Sequence, residues 1–122
     1  MTKFLQKLPL CMKRNPRRDL VLVKDVLKAI HCVEDFIGDK EFDGFAKDPI
    51  LMSAVFHQFM IIGEASAKIS DEFQETHPEI PFHKIIGMRN TIVHGYSLID
   101  ETIVWKAYKN NLPELKEKLL KI

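Results

Sequence analysis

Cysteine is nearly absent from this chain: only Cys11 and Cys32 occur among 122 residues, too few and too badly spaced for a disulfide framework or a zinc site. Both are expected to be free thiols. Long apolar runs are scarce as well, because charges interrupt the hydrophobic stretches before the ~20 residues that a bilayer-spanning helix needs. Residues 1–10 lack the continuous apolar centre of a secretory signal, being broken by Gln6, Lys7 and Pro9. The expectation is a protein that engages no membrane and stays in the cytoplasm. There is also no β-alternating stretch of useful length, no internal repeat and no low-complexity segment, which sets aside sheet folds and repeat arrays.

Length and charge bound the rest. A chain of 122 residues suits a single compact domain. The net charge of +1 conceals an uneven distribution. The first 18 residues hold six bases (Lys3, Lys7, Lys13, Arg14, Arg17, Arg18) and no acid, leaving 12 bases against 17 acids in residues 19–122. Residues 1–18 therefore read as a basic, flexible leader, solvated or gripping phosphates. Residues 19–122 read as one acidic helical domain, whose surface as a whole does not attract nucleic acid.

Helical periodicity organises that domain. Leu20, Val23, Leu27, Ile30, Val33 and Ile37 recur at three- and four-residue steps and predict a first helix from Asp19, closed by Gly38. A loop rich in Asp, Gly and Lys follows. Asp48 can cap a second helix with Pro49 at its first position, and a stripe through Leu51, Val55, Ile62, Ala65, Ile69 and Phe73 predicts that it runs over 49–76. Phe56, Phe59, Met60 and Ile61 widen that stripe, which calls for more than one neighbour. Pro78 and Pro81 stop helix continuation. A third helix is expected from Pro81 to His94, a fourth from Asp100 until Asn110 and Asn111 break it, and a last one from Pro113. The fold class is all-α, a bundle of four or five helices.

Reactive side chains gather at the end of the third predicted helix, in Met88-Arg89-Asn90-Thr91-Ile92-Val93-His94-Gly95-Tyr96. Asn90 and His94 stand four apart and share a face, Arg89 is one position round, and Tyr96 follows the glycine. Arg89 is the only arginine in residues 19–122, where the other 11 bases are lysines. Its planar fork suits a phosphate; an internal ion pair with Glu64, set in the apolar run Ile61-Ile62-Gly63-Glu64-Ala65, is an equal reading. His94 can move a proton, Arg89 can stabilise charge on a phosphate, and Asn90 can orient His94 or that phosphate. Tyr96 either contacts RNA or covers the end of the bundle. The other histidines, His31, His57, His77 and His83, show no metal-binding spacing with acids. Such a set fits RNA cleavage without a metal or a cofactor.

The string R-N-T-I-V-H-G-Y resembles the signature of HEPN domains, and more closely their HepT-like branch, in which a tyrosine follows two residues after the histidine. Ile62-Gly63-Glu64-Ala65, Pro78-Glu79-Ile80-Pro81, Val104-Trp105 and Leu112-Pro113-Glu114-Leu115 resemble that family's successive blocks over residues 19–120. Phe82 departs from it, standing where tryptophan is usual. The resemblance implies a HEPN-type bundle that forms a homodimer with its two Arg-to-His motifs facing across a cleft. It implies an endoribonuclease toxin acting on RNA such as tRNA, and a minimal nucleotidyltransferase antitoxin that transfers AMP to Tyr96. The alternative is a non-catalytic helical subunit that binds substrate for, or docks onto, a nucleotidyltransferase.

Overall fold

In the computed structural model, residues 16–94 and 100–122 are described, and they are helical nearly throughout. The chain forms α1 (Pro16–Ile37), α2 (Phe42–Ala46), α3 (Pro49–Lys68), α4 (Asp71–Thr76), α5 (Phe82–His94) and α6 (Glu101–Lys106). A π-helical turn (Ala107–Asn111) then leads into α7 (Leu112–Leu120). No strand occurs among the described residues. The all-α bundle expected from periodicity is the observed architecture.

The centre of the bundle is α3, packed between α1 on one side and α5 on the other. Leu51, Val55, Phe59, Ile62 and Ala65 of α3 are buried, as are Val23, Ile30, Val33 and Ile37 of α1. Each such aliphatic or aromatic side chain contributes about 1.5–3 kcal/mol when withdrawn from water. The first stripe is rotated slightly from its sequence reading: Leu20 is 47% exposed, and Leu22 and Val26 pack inward. By length and composition α3 is apolar enough to cross a bilayer, contrary to the reading that charge interrupts every such run. Within it only Glu64 and Lys68 are formally charged. Its broad apolar surface serves two helical neighbours here.

Several element boundaries differ from the sequence reading, each for a local reason. Helix α1 begins at Pro16, so residues 16–18 of the expected leader are helical, with proline at a position where its missing N–H costs nothing. Gly38 ends α1 at φ 53°, with its N–H donating to the Glu34 carbonyl at 2.9 Å, as a C-terminal glycine does. The loop before Asp48 contains α2, anchored by the fully buried Phe45. The ring of Trp105 lies 5.4 Å from that of Phe45 and 5.9 Å from that of Phe42.

The single helix expected over 49–76 is two. Ile69 is extended (ψ 135°), and Ser70 caps α4 by accepting the Phe73 N–H at 3.2 Å. Asp19 of α1, only 2% exposed, accepts from the Ser70 N–H at 2.9 Å and from its hydroxyl at 2.7 Å. The break is held by the neighbouring helix α1. Apolar spacing continues through it, since Ile69 and Phe73 are both buried, which is why periodicity alone runs past the boundary.

Asn110 and Asn111 do not end the fourth helix. The chain widens into a π turn whose Leu112 N–H donates to the Ala107 carbonyl, and α7 continues from it. Pro113 lacks an N–H and its ring crowds the carbonyl four residues back; the wider turn accommodates it. Lys116 of α7 donates to Glu34 of α1 at 2.9 Å. Burial raises the pKa of the Tyr108 phenol above the usual 10.0, with the Glu34 charge adding to the effect.

Candidate active site

The site is built where α5 crosses α3. Phe82, Ile85 and Ile92 fix the inner face of α5 in the core, and Phe82 meets Phe73 edge-on at 6.5 Å. The phenylalanine at the usual tryptophan position thus fills a packing role. Arg89 lies on the inner side of the same helix, opposite Gly63 of α3. A Cβ at position 63 would overlap Cβ and Cγ of Arg89, so the absence of a side chain there admits the arginine stem. The sequence reading noted Gly63 only as part of a block. Its signal was a glycine inside an apolar helix, where it costs about 1 kcal/mol relative to alanine without a packing reason.

With its stem held, the guanidinium reaches the surface between Asn90 and Glu64. Arg89 Nη1 donates to Asn90 Oδ1 at 2.8 Å, and Nη2 lies 3.5 Å from Glu64 Oε1. Side-chain exposure is 31% for Arg89 and 48% for Glu64. An ion pair this exposed is screened by water and contributes at most about 1 kcal/mol. Its main effect is to orient the fork. Arg89 Nε and Ser66 Oγ are buried without a hydrogen-bond partner among the described residues. A guanidinium has five N–H donors, so the two contacts leave donors for an anion.

Of the two readings of Arg89, the pairing with Glu64 is present, and the guanidinium stays partly exposed. Asn90 is engaged with Arg89, the neighbour it was not expected to orient. His94 is the last residue of α5, one helical turn beyond Asn90 on the same side of the helix. Its side chain lies outside the described residues, as does Tyr96. Of the other histidines, His31 sits 3.3 Å from Asp35 and His77 3.3 Å from Glu79 in surface pairs. Neither pair belongs to the Arg89 site.

Such an arrangement, a cation held at one helix end beside an amide and one turn from a histidine, can bind a phosphodiester and assist proton transfer. Comparison with known proteins gives the class. Residues 26–122 match the family model described as ribonuclease HepT-like, and the chain belongs to that family. It is 36% identical over 111 residues to "Probable ribonuclease HepT" of Thermococcus cleftensis, covering 91% of this chain and 98% of that protein. It is 32% identical over 104 residues to a "Putative RNase" of Methanocaldococcus jannaschii, covering 84% and 95%. It is also 36% identical over 81 residues to a "Putative RNase" of Caldanaerobacter subterraneus, covering 66% and 72%. No solved structure matches. The helical bundle described above is thus of HEPN type.

Proposed function

We propose that this chain is a metal-independent endoribonuclease that acts as the toxin of a toxin–antitoxin pair. The observation that carries the reading is the Arg89 fork, seated on Gly63, oriented by Glu64 and Asn90, and placed five residues before His94 on the same helix. In the proposed reaction the 2′-hydroxyl of a ribose attacks the adjacent phosphorus, a new P–O2′ bond forms and the P–O5′ bond breaks. His94 takes the proton from the 2′-hydroxyl or delivers one to the leaving 5′ oxygen. Arg89 neutralises charge that builds on the phosphate oxygens. The substrate suggested by the family resemblance is a structured RNA such as tRNA.

Two partners complete the proposal. A second copy of the chain would place two such motifs across one cleft. A minimal nucleotidyltransferase would act as antitoxin: the Tyr96 oxygen attacks the α-phosphorus of ATP, an O–P bond forms and pyrophosphate leaves. An added anionic nucleotide would repel RNA phosphates from the Arg89 fork. Gly87 supports a close contact from outside. It lies on the exposed face of α5, one turn before Asn90, and a Cβ there would meet nothing within 4 Å. Glycine in a helix interior is a cost, and no packing among the described residues accounts for it.

The test is cleavage of labelled tRNA by the purified chain beside His94→Ala and Arg89→Ala. Removing a general acid or base should slow cleavage by about 10²-fold or more, with the helical circular dichroism unchanged. Activity retained in both variants sinks the catalytic assignment. A wild-type chain that cuts no RNA but binds the nucleotidyltransferase would instead favour a docking subunit.

A further inference from the structure

A second recess lies next to the Arg89 site and is not used by the reaction described. It is a cleft of about 320 Å³ between α5, α6, the π turn and the start of α7, at the lower end of the range of small-ligand pockets. Ile85, Met88, Ala107, Leu112 and Leu115 give it an apolar floor, and Ile103, 52% exposed, forms a lip at its mouth. Lys84 of α5, Lys106 of α6 and Asn111 of the π turn also line it. The one carboxylate in the lining, Glu114, accepts from Lys118 at 2.7 Å, and its pKa is lowered by that bond and charge first, with the Lys84 charge adding to the effect. In a domain whose body is acidic, this recess combines an apolar surface with two ammonium groups against one carboxylate that Lys118 already engages.

The π turn is the second observation. It widens the helix at the edge of the cleft and brings Ala107 and Asn111 into one lining; π turns of this kind recur at functional sites. An apolar slot flanked by cations and by an amide that both donates and accepts fits a nucleotide, a flat base attached to an anionic phosphate. An acidic or purely apolar occupant would leave one part of this lining unmatched. Met88 lines the cleft and is the residue before Arg89. Lys84 is five residues before Arg89, on the order of 7 Å along the α5 axis, so one strand can cross both.

We infer that this cleft seats one nucleotide of the RNA flanking the scissile phosphate, with its base on the Ile85–Met88 floor and its phosphate between Lys84 and Lys106. The inference rests on the ribonuclease reading above. It makes the cleft a binding subsite, separate from the groups that move protons.

The experiment uses the full chain carrying His94→Ala, so that RNA survives, and a fluorescent single-stranded oligoribonucleotide. Its affinity is measured against salt with and without Lys84→Gln and Lys106→Gln. Loss of the one phosphate that the two lysines share should lower the slope of log affinity on log salt by about 0.7 and weaken binding roughly tenfold at low salt. A 4-thiouridine version of the RNA should crosslink at Met88 or Ile103. Cleavage is then measured in the chain with His94 intact, where the two lysine substitutions together should raise KM for RNA whatever the flanking base. Equal affinity, slope and KM in the lysine variants, with Arg89→Ala still inactive, overturns the subsite and leaves the ribonuclease intact. A parent chain that neither binds nor cuts RNA overturns both. Lysine variants that bind RNA normally but lose the nucleotidyltransferase show that the cleft's occupant is a protein, which also overturns the inference.

Discussion

At the scale of single residues, Arg89 depends on what is missing at position 63. Its first two side-chain carbons occupy the space of a Cβ on Gly63, so Gly63→Ala must push the α5 stem outward and shift a guanidinium whose placement is set by bonds of 2.8 Å and 3.5 Å. Alanine is the better helix former by about 1 kcal/mol, whereas overpacking costs about 1–3 kcal/mol. The overpacking outweighs the helix gain, because the Cβ of Arg89 can move away from position 63 only if α5 moves with it. Gly63→Ala is therefore expected to destabilise the fold by up to about 2 kcal/mol, read as a lower melting temperature, and to lower RNA cleavage by an order of magnitude or more. A variant with wild-type cleavage would show that Gly63 does not position Arg89. Arg89, Asn90 and Glu64 were legible as a group because residue type and helical spacing reveal them. Gly63 was not, because a close approach between two helices is a tertiary fact that no local pattern records.

At the scale of elements, capping residues announced themselves better than breaks did. Asp48 accepts from the Leu51 N–H at 3.0 Å and Asp100 from the Thr102 N–H at 2.8 Å, each at the helix start that its position before the apolar pattern suggests. The division between α3 and α4 was hidden because Asp19, 51 residues before Ser70 in sequence, supplies the bonds that hold it. The π turn was hidden because the two asparagines and Pro113 read as a stop. Asp19→Ala tests the first of these: it removes two charge-assisted acceptors from part-buried donors, each net bond contributing about 1.5–3 kcal/mol. The expected loss is about 3 kcal/mol by urea denaturation, with the α4 amides exchanging faster than those of α3. A loss below about 1 kcal/mol would mean that the Ser70 cap holds without α1.

At the scale of the whole molecule, the monomer leaves more apolar surface uncovered than its core requires. Ile50 is 83% exposed and Val21 54%, and Met52, Phe56, Met60 and Ile61 of the central helix are only partly buried against the core. Scattered apolar residues are ordinary on a surface, but here the partly buried ones belong to the helix that carries Glu64. The bare backbone at Gly87 lies on the face of α5 shared with Asn90 and His94. If two copies meet across these motifs, Gly87 is where their backbones approach, and a charged side chain there blocks assembly. Sedimentation of the wild-type chain is then expected to give twice the 14.2 kDa of the monomer, and Gly87→Glu should sediment as a folded monomer with cleavage lost. Because position 87 is open in the isolated chain, the substitution introduces no internal clash, and glutamate is a better helix former than glycine. A fully active wild-type monomer would rule out the shared cleft, and an active Gly87→Glu dimer would place the contact elsewhere on the molecule.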